Sequence, residues 1–425
     1  MAILIKNGTI LNPATSTNEV LDLLIEGDTI SKMAPSITAA DATVIDATGC
    51  YVAPGLIDMH VHFRDPGQTA KEDIETGSRA AAHGGYTTVC AMPNTNPVVD
   101  CPEVVKYVHD KAKQVGLCNV LQVGAMTHGM KGEELSDLEG MIEAGIPAMS
   151  EDGKSVMNTN LFREALRVAA AHHIPVLSHC EDINLVDGGV MNAGPKAEAL
   201  GIRGISNAVE NIIEARDIMV AEETGATLHL CHCSTKESVE LIRDGKAKGI
   251  KVSGEVCPHH FTLCEDDIPS AADSNYKMNP PLRTAEDREA LRRGLADGIL
   301  EVISTDHAPH TAEEKSRDFT KAPFGIVGVE TAAALTYTEL VFGGYLTPMQ
   351  MFEKMSYNPA RILGIDRGDI SVGKIADVVI FDPRETYEIH ASDFHGKSRN
   401  MPYEGRPVQG AVVTTILAGK ITYKR

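Results

Sequence analysis

The chain has 425 residues, of which 43% are hydrophobic and 23% are charged, a composition typical of a globular protein with a large buried core rather than a disordered one. Thirty-nine Lys and Arg residues against fifty-nine Asp and Glu residues leave a net charge of −20, which argues against nucleic acid and anionic membranes as partners. The nine cysteines are scattered, and neither a leader-like start nor a long apolar run is present, so we expect a reduced, cytoplasmic protein.

Both ends of the chain have the pattern of short β-strands. Residues 1–54 alternate β-type runs with turn signals, as in Leu23–Ile25 before Gly27. Residues 365–425 return to this pattern, for example in Ala376–Phe381. We therefore expect the two ends to meet in one small β-sandwich.

Residues 55–364 alternate short apolar runs with helical stretches such as Leu161–Ala171 and Ala208–Glu222. Continuous apolar runs are typical of a parallel sheet that is buried on both faces. The predicted strands are Leu56–His62, Thr87–Met92, Val120–Met126, Ile146–Asp152, Pro175–Cys180, Thr227–Cys233, Lys251–Cys257 and Leu300–Asp306. Eight strands alternating with helices predict an α/β fold of the closed (β/α)₈ TIM-like barrel type.

The first predicted barrel strand ends in the most informative segment of the chain, Asp58-Met59-His60-Val61-His62-Phe63-Arg64. Side chains alternate faces along a strand, so His60 and His62 point the same way, which in a barrel is inward. Neutral imidazoles are good ligands for a divalent metal ion. One such pair is weak evidence by itself.

Four further candidates stand where later predicted strands end, namely Asp152, His179, His232 and Asp306. Barrel enzymes build their active sites at the C-terminal ends of the strands, where side chains from several strands converge. Any one of these histidines could be an ordinary core residue. Together, four histidines and two aspartates predict a site for two metal ions.

Several motifs resemble those of the amidohydrolase superfamily, and most closely those of bacterial dihydroorotases. The resemblance runs from about Ile3 to the C-terminus. The generic motifs are Val52–Asp58 and Ser371–Asp377, and the more specific ones are Met92–Thr95, Lys277–Arg283 and Thr305–His310.

This resemblance implies the reversible hydrolysis of (S)-dihydroorotate to N-carbamoyl-L-aspartate in pyrimidine biosynthesis. It implies that His60, His62 and Asp306 bind one Zn²⁺, that His179 and His232 bind a second, and that Asp152 bridges them with a hydroxide. Two cations lower the pKa of a shared water and polarise the carbonyl that it attacks. Asp306 then serves as general base and afterwards as general acid.

The identity of the bridging ligand has an alternative. Many amidohydrolases bridge their metals with a carbamylated lysine, and Lys154 lies two residues beyond Asp152. The segment Met149–Ser155 resembles the bacterial branch that uses aspartate, and Gly153 is expected to end the strand before Lys154. We therefore favour Asp152.

The resemblance also implies a set of substrate-binding residues, which are His62, Arg64, Asn94, Asn279, His310, Phe324 and Gly325. Arg64 offers a planar fork that can hold the ring carboxylate of dihydroorotate. Asn94 and Asn279 each neighbour a proline and could instead be turn residues. The segment Thr320–Ile326 resembles a loop that covers the substrate and excludes water, although Phe324 could merely anchor a surface loop.

The sequence leaves two alternatives to a dihydroorotase. A hydantoinase, dihydropyrimidinase or allantoinase would share the barrel and the metals, but their rings lack the carboxylate that Arg64 fits. A non-catalytic scaffold for aspartate carbamoyltransferase would be expected to lose metal ligands, and all six candidates are present. We expect a homodimer, with a complex with aspartate carbamoyltransferase as an open hypothesis. His259 and His260 are either structural or orient a ligand.

Overall fold

The structure is a computed structural model that describes residues 2–425. The strands are β1 Ala2–Asn12, β2 Thr17–Glu26, β3 Thr29–Ala34, β4 Ala42–Asp46, β5 Tyr51–Pro54, β6 Leu56–Val61, β7 Tyr86–Ala91, β8 Asn119–Gln122, β9 Gly124–Ala125, β10 Met149–Ser150, β11 Val176–Ser178, β12 Met191–Asn192, β13 Gly204–Ile205, β14 Leu228–Leu230, β15 Val252–Val256, β16 Val302–Ile303, β17 Val378–Glu388, β18 Pro407–Leu417 and β19 Lys420–Lys424. The helices are α1 Ile74–His83, α2 Pro102–Val115, α3 Leu138–Glu143, α4 Thr159–His172, α5 Pro195–Leu200, α6 Ala208–Thr224, α7 Lys236–Ala247, α8 Pro258–Thr262, α9 Ala285–Ala296, α10 Ala312–Lys315, α11 Ala332–Thr336, α12 Pro348–Phe352 and α13 Asn358–Leu363. Among these described residues, no helix combines the length and the apolar character needed to cross a membrane.

The two ends of the chain share one eight-stranded sheet. Its strand order is β19-β18-β17-β5-β1-β2-β3, and β4 pairs with β1. The ends are joined where β17 pairs antiparallel with β5, from Val378 opposite Pro54 to Phe381 opposite Tyr51. Strands from both ends of the chain therefore belong to one sheet.

Each of the eight predicted barrel runs contains an observed strand, and all of their pairings are parallel. They form the sheets β6-β7-β8 and β16-β15-β14-β11-β10-β9, with the third run divided between β8 and β9 at Val123. An isolated parallel bridge pairs Val61 with His307, and the His62 N–H donates to the His307 carbonyl at 2.8 Å. The ends of the first and last strands therefore lie side by side.

The helices pack against these strands through their apolar faces, as helix α4 illustrates. Its buried residues Phe162, Ala165, Leu166 and Ala169 recur with the period of one helix face, so packing them on the sheet removes them from water. The predicted helix Leu161–Ala171 lies inside α4.

Helix α6 matches the predicted Ala208–Glu222 but is not simply amphipathic. It buries three carboxylates, Glu210, Glu214 and Asp217, together with its apolar residues. Arg283 offsets part of this charge, because its guanidinium lies 3.2 Å from Glu210 Oε2 and both side chains are buried.

Candidate metal centre

Strand β6 contains His60, and His62 directly follows its last residue, Val61. Every residue of β6 is buried. His60 turns Nδ1 toward Glu255 Oε1, 2.8 Å away, and directs Nε2 toward the carboxylates of Asp152 at 3.2 Å and Asp306 at 3.5 Å. The partner on Nδ1 fixes the ring so that Nε2 is the nitrogen offered to the cluster.

Asp152 lies at the centre of the cluster. Its Oδ1 is 3.2 Å from His60 Nε2, 3.3 Å from His179 Nδ1 and 3.5 Å from His232 Nε2. Its Oδ2 is 3.3 Å from His62 Nε2. One carboxylate therefore faces all four imidazoles, as a ligand shared between two metal ions must.

The remaining contacts close the cluster. Asp306 Oδ1 lies 3.0 Å from His62 Nε2, and His179 Nδ1 lies 2.8 Å from His232 Nε2. The structure thus brings together all six side chains that the sequence singled out, from five different strand ends. Each of them is buried.

The donor set fits divalent metal ions. His60 Nε2 and Asp152 Oδ1 are buried without a hydrogen-bond partner, and buried polar atoms are rarely left in that state. Imidazole nitrogens and carboxylate oxygens are the ligands that Zn²⁺ accepts. Two groups have ligand atoms within 4.8 Å of one another, His60 with Asp152 and His232, and His60 with His62 and Asp306.

Electrostatics keep the two carboxylates ionised. Burial alone would raise the pKa of Asp152, but the charge of His60 and the close approach of the His179 and His232 imidazoles hold that pKa well below its ordinary value. Burial likewise opposes ionisation of Asp306, and the hydrogen bond with His62 and the charge of His60 bring its pKa below the ordinary value. Ionised carboxylates are the form that binds a metal ion.

Lys154 is directed away from the cluster. Its Nζ donates to the Met130 carbonyl at 3.0 Å, and its main-chain N–H donates to the Glu151 carbonyl at 2.8 Å. A turn after Asp152 therefore separates the two side chains, and the geometry favours Asp152 over Lys154 as the bridging residue.

A cavity of about 210 Å³ opens beside the cluster. Its walls contain all seven predicted substrate-binding residues, which are His62, Arg64, Asn94, Asn279, His310, Phe324 and Gly325. Asn94 Oδ1 lies 2.9 Å from His62 Nδ1, and Asn279 donates to Glu181 Oε1 at 2.9 Å. Both asparagines therefore contact site residues, and neither acts only as a turn former.

Arg64 is buried in the wall of this cavity without a carboxylate partner. Its Nε donates to the Pro309 carbonyl at 3.3 Å, and the charges of Asp306, Asp152 and Glu314 act on the guanidinium from a distance. Desolvation lowers its pKa to about 10, so the guanidinium stays charged near neutral pH. A buried guanidinium without a direct hydrogen bond to a carboxylate can pair with an anionic ligand in the cavity.

The loop at Phe324 and Gly325 is held by its own protein contacts. His310 Nε2 donates to the Phe324 carbonyl at 2.8 Å, Lys315 Nζ and Asn400 Nδ2 each lie 3.0 Å from the Gly325 carbonyl, and the Gly325 N–H donates to the Lys277 carbonyl at 2.9 Å. The Phe324 carbonyl and both main-chain groups of Gly325 therefore have hydrogen-bond partners inside the protein. Gly325 has a φ of 125°, and a Cβ there would lie 2.6 Å from the Ala308 Cβ, which explains the glycine.

Backbone strain is concentrated at the site. Among residues 2–425, nine non-glycine residues have a positive φ, and three of these are Arg64, His232 and Asp306. Such conformations cost of order 1–3 kcal/mol each and persist where the surroundings hold them in place.

Sequence reasoning missed Glu255 and Glu181. Glu255 Oε1 lies 2.8 Å from His60 Nδ1, and Glu181 Oε2 lies 3.3 Å from His179 Nε2. The available signal was a carboxylate inside an apolar run, as in Val252–Val256. Cys231 directly follows β14, and its thiol lies within 4.8 Å of ligand atoms of His60 and Glu255.

His259 and His260 are both buried. His260 Nε2 donates to the Pro280 carbonyl at 3.0 Å and so supports the segment that carries Asn279. Desolvation lowers the pKa of His259 to about 4, and its Nε2 has no hydrogen-bond partner.

Comparison with known proteins gives a consistent result. Residues 49–238 match a family model described as "Dihydro-orotase-like". Proteins named "Dihydroorotase" are 48% identical in Pelotomaculum thermopropionicum, over 99% of this chain and 98% of the relative, and 46% identical in Pelobacter propionicus, over the whole of both chains. Among solved structures, a dihydropyrimidinase from Brevibacillus agri is similar with a TM-score of 0.87 at 26% identity, covering 100% of this chain and 95% of its own. An L-hydantoinase from Arthrobacter aurescens is similar with a TM-score of 0.88 at 25% identity, covering 99% and 96%.

Proposed function

The chain belongs to the dihydroorotase family, and we propose that its buried cluster of four histidines and two aspartates is the two-metal centre at which that family's reaction takes place. The protein is a hydrolase that acts on a cyclic amide. Its reaction is the reversible hydrolysis of (S)-dihydroorotate to N-carbamoyl-L-aspartate, a step of pyrimidine biosynthesis.

The observation that carries this function is the position of Arg64. Its charged guanidinium lines the same cavity as Asp152 and Asp306, and among residues 2–425 its side-chain hydrogen bond goes to the Pro309 carbonyl rather than to a carboxylate. A ring substrate that bears a carboxylate can supply that partner and, in doing so, present its amide to the metal cluster. Uncharged rings would leave the guanidinium buried and unpaired.

The rival functions are less well supported. The curated relatives at 45–48% identity are named dihydroorotases, whereas the similar hydantoinase and dihydropyrimidinase structures are only 25–28% identical. The non-catalytic scaffold hypothesis predicts missing ligands, but all six side chains are present and converge. Both observations favour an active dihydroorotase.

In this proposal His60, His62 and Asp306 would hold one Zn²⁺, His179 and His232 would hold the other, and Asp152 would contribute to both sites. When bound, two such ions lower the pKa of a water molecule and polarise the amide carbonyl. Glu255 orients the ring of His60 through Nδ1, and Asn94 does the same for His62.

Asp306 is proposed to handle the proton. Its carboxylate lines the cavity, and its lowered pKa keeps it ionised and able to accept a proton from the attacking water. The same carboxyl group can then deliver that proton to the departing ring nitrogen. Its hydrogen bond with His62 Nε2 and its constrained backbone keep it directed toward the cluster.

The remaining groups are proposed to position the ring and exclude water. Arg64 takes the substrate carboxylate, Asn279 and His310 lie beside it, and Phe324 with Gly325 closes the cavity wall. Because the carbonyl groups of the loop are bound by Lys315, Asn400 and His310, the loop is held in a set conformation.

We also propose the finer architecture. The two parallel sheets, with the bridge between Val61 and His307, support a closed (β/α)₈ barrel over residues 55–364. Residues 1–54 and 365–425 would form the β-sandwich. A cytoplasmic homodimer is proposed for the assembly, with association with aspartate carbamoyltransferase as a separate hypothesis; light scattering of the protein with and without the transferase tests both.

The test of function compares turnover of dihydroorotate, dihydrouracil, hydantoin and allantoin by the zinc-replete enzyme. Dihydroorotate is expected to be preferred. The Arg64→Gln variant should lose about 10- to 100-fold in kcat/KM for dihydroorotate, because charge-assisted hydrogen bonds contribute about 1.5–3 kcal/mol. Its kcat/KM for the uncharged rings should not fall. Preference of the unsubstituted enzyme for an uncharged ring would refute the assignment.

A further inference from the structure

A second group of metal-ligating side chains lies outside the catalytic cavity. His83 ends helix α1, Glu330 precedes helix α11, and His395 lies between strands β17 and β18. His83 Nδ1 is 2.5 Å from Glu330 Oε2, and His395 Nδ1 is 3.4 Å from the same oxygen. The two imidazole rings are 4.2 Å apart between centroids.

This group borders a cavity of about 270 Å³. Tyr387, Tyr423 and Arg425 contribute further to its walls. The side chains of His395 and His83 are 39% and 21% exposed, so an ion from solvent can reach their ring nitrogens. His83 itself is half-buried against Glu330.

The carboxylate of Glu330 is held in place before any ligand arrives. Its Oε2 accepts the main-chain N–H of His395 at 2.7 Å, and its Oε1 accepts that of Gly396 at 3.1 Å. Burial opposes its ionisation, but the hydrogen bonds with His395 and His83 lower its pKa to about 2. It therefore presents a fixed negative charge between two imidazoles.

We propose that His83, Glu330 and His395 form an additional metal site for a divalent cation of the Zn²⁺ type, with its fourth position open to the cavity. The three ligand atoms lie within 4.8 Å of one another. Two imidazoles and one carboxylate suit Zn²⁺, whereas Mg²⁺ and Ca²⁺ require sets made mainly of oxygen ligands. The cation joins α1, the segment before α11 and the segment between β17 and β18.

The site differs from the catalytic cluster in every residue and can be tested without assuming anything about that cluster. The enzyme is equilibrated by dialysis with a series of Zn²⁺ concentrations, and zinc per chain is measured by elemental analysis. The readout is the difference between the unsubstituted enzyme and the variants His83→Ala and His395→Gln. We expect each variant to bind one equivalent less, with the turnover of dihydroorotate unchanged.

His390→Ala is the matched control. His390 lines the same cavity and is 43% exposed, but it pairs with Glu404 and not with Glu330. It should retain the additional equivalent. In a parallel dialysis with Mg²⁺, the unsubstituted enzyme, His83→Ala and His395→Gln should all bind the same amount of Mg²⁺.

Thermal unfolding supplies a second measurement, since an ion that binds only the folded state raises the melting temperature. Added Zn²⁺ should raise the melting temperature of the unsubstituted enzyme and of His390→Ala by more than that of His395→Gln. Equal zinc content in the unsubstituted enzyme, His83→Ala and His395→Gln would overturn the proposal and leave the group as an ion-paired cluster. Loss of the equivalent in His390→Ala would also overturn it.

Discussion

Glu255 offers the sharpest test of how the protein prepares its metal ligands. Its carboxylate is fully buried and lies 2.8 Å from His60 Nδ1 and 3.1 Å from His229 Nε2. Burial opposes its ionisation, yet the hydrogen bonds with His229 and His60 hold its pKa well below the ordinary value. Glu255 can therefore hold a proton on His60 Nδ1, so that Nε2 is the nitrogen that a metal ion would take.

The Glu255→Gln and Glu255→Leu variants separate charge from shape. Gln keeps an oxygen that can accept a hydrogen bond from His60 but lacks the negative charge. Leu lacks both the oxygen and the charge. A hydrogen bond to a charged group contributes about 1.5–3 kcal/mol, and about 1.4 kcal/mol corresponds to a factor of ten in affinity. We expect the Zn²⁺ affinity to fall about 10-fold for Gln and about 100-fold for Leu, with a parallel loss of activity at limiting zinc.

Zinc affinity is measured by competition with a chromophoric chelator, and kcat/KM is measured in the same buffers. Glu214→Gln is the matched control, because Glu214 is equally buried on α6 but does not contact the cluster. Unchanged zinc affinity in a folded Glu255→Leu protein would refute the role of this carboxylate. An equal loss in Glu214→Gln would show that the effect comes from general destabilisation.

Three further predictions follow from the geometry. Asp152→Ala should lose bound zinc and activity, whereas Lys154→Ala should keep both, as measured by metal analysis and turnover, because only Asp152 faces the four imidazoles; the reverse result would restore the lysine bridge. Lys315→Met should lower kcat/KM about 10-fold at unchanged metal content. The substitution removes a hydrogen bond to the Gly325 carbonyl, and such a bond contributes about 1 kcal/mol or somewhat more. An unchanged kcat/KM would show that the loop does not need this contact. The folded pKa of Glu330, about 2, lies below its ordinary 4.5, so its ionised form contributes stability above about pH 4.5 that is lost as the pH falls toward 2. Glu330→Gln should therefore be about 3 kcal/mol less stable than the parent chain at pH 7 in denaturant unfolding, with the difference shrinking toward pH 2; a pH-independent difference would contradict this reasoning.

The alternation and length of apolar runs predicted the secondary structure well. All eight expected strands are present. Runs such as Val252–Val256 lie in a sheet that is buried on both faces, so neither face is exposed to water. Their observed bounds are often shorter, as in Met149–Ser150 where Ile146–Asp152 was expected, because the ends turn into the loops that carry the ligands.

The candidate ligands were predictable because they stand at the ends of those strands. Glu255 and Asn400 were not, since their partners are far away along the chain. Asn400, for example, donates to the Ala308 and Gly325 carbonyls. The positive φ of Arg64 is equally invisible in a local pattern, because it is imposed by the surrounding structure and not by residue type.

The expected barrel ends at residue 364, but Asn400, which lies beyond this boundary, also supports the catalytic cavity. Its side chain accepts the His310 N–H and donates to the Gly325 carbonyl, and its own carbonyl accepts the Val327 N–H. The segment between β17 and β18 therefore holds the loop that closes the cavity, although the strands on either side belong to the terminal sheet. The terminal residues thus contribute to the catalytic cavity through positioning, and removing them is expected to cost activity as well as stability.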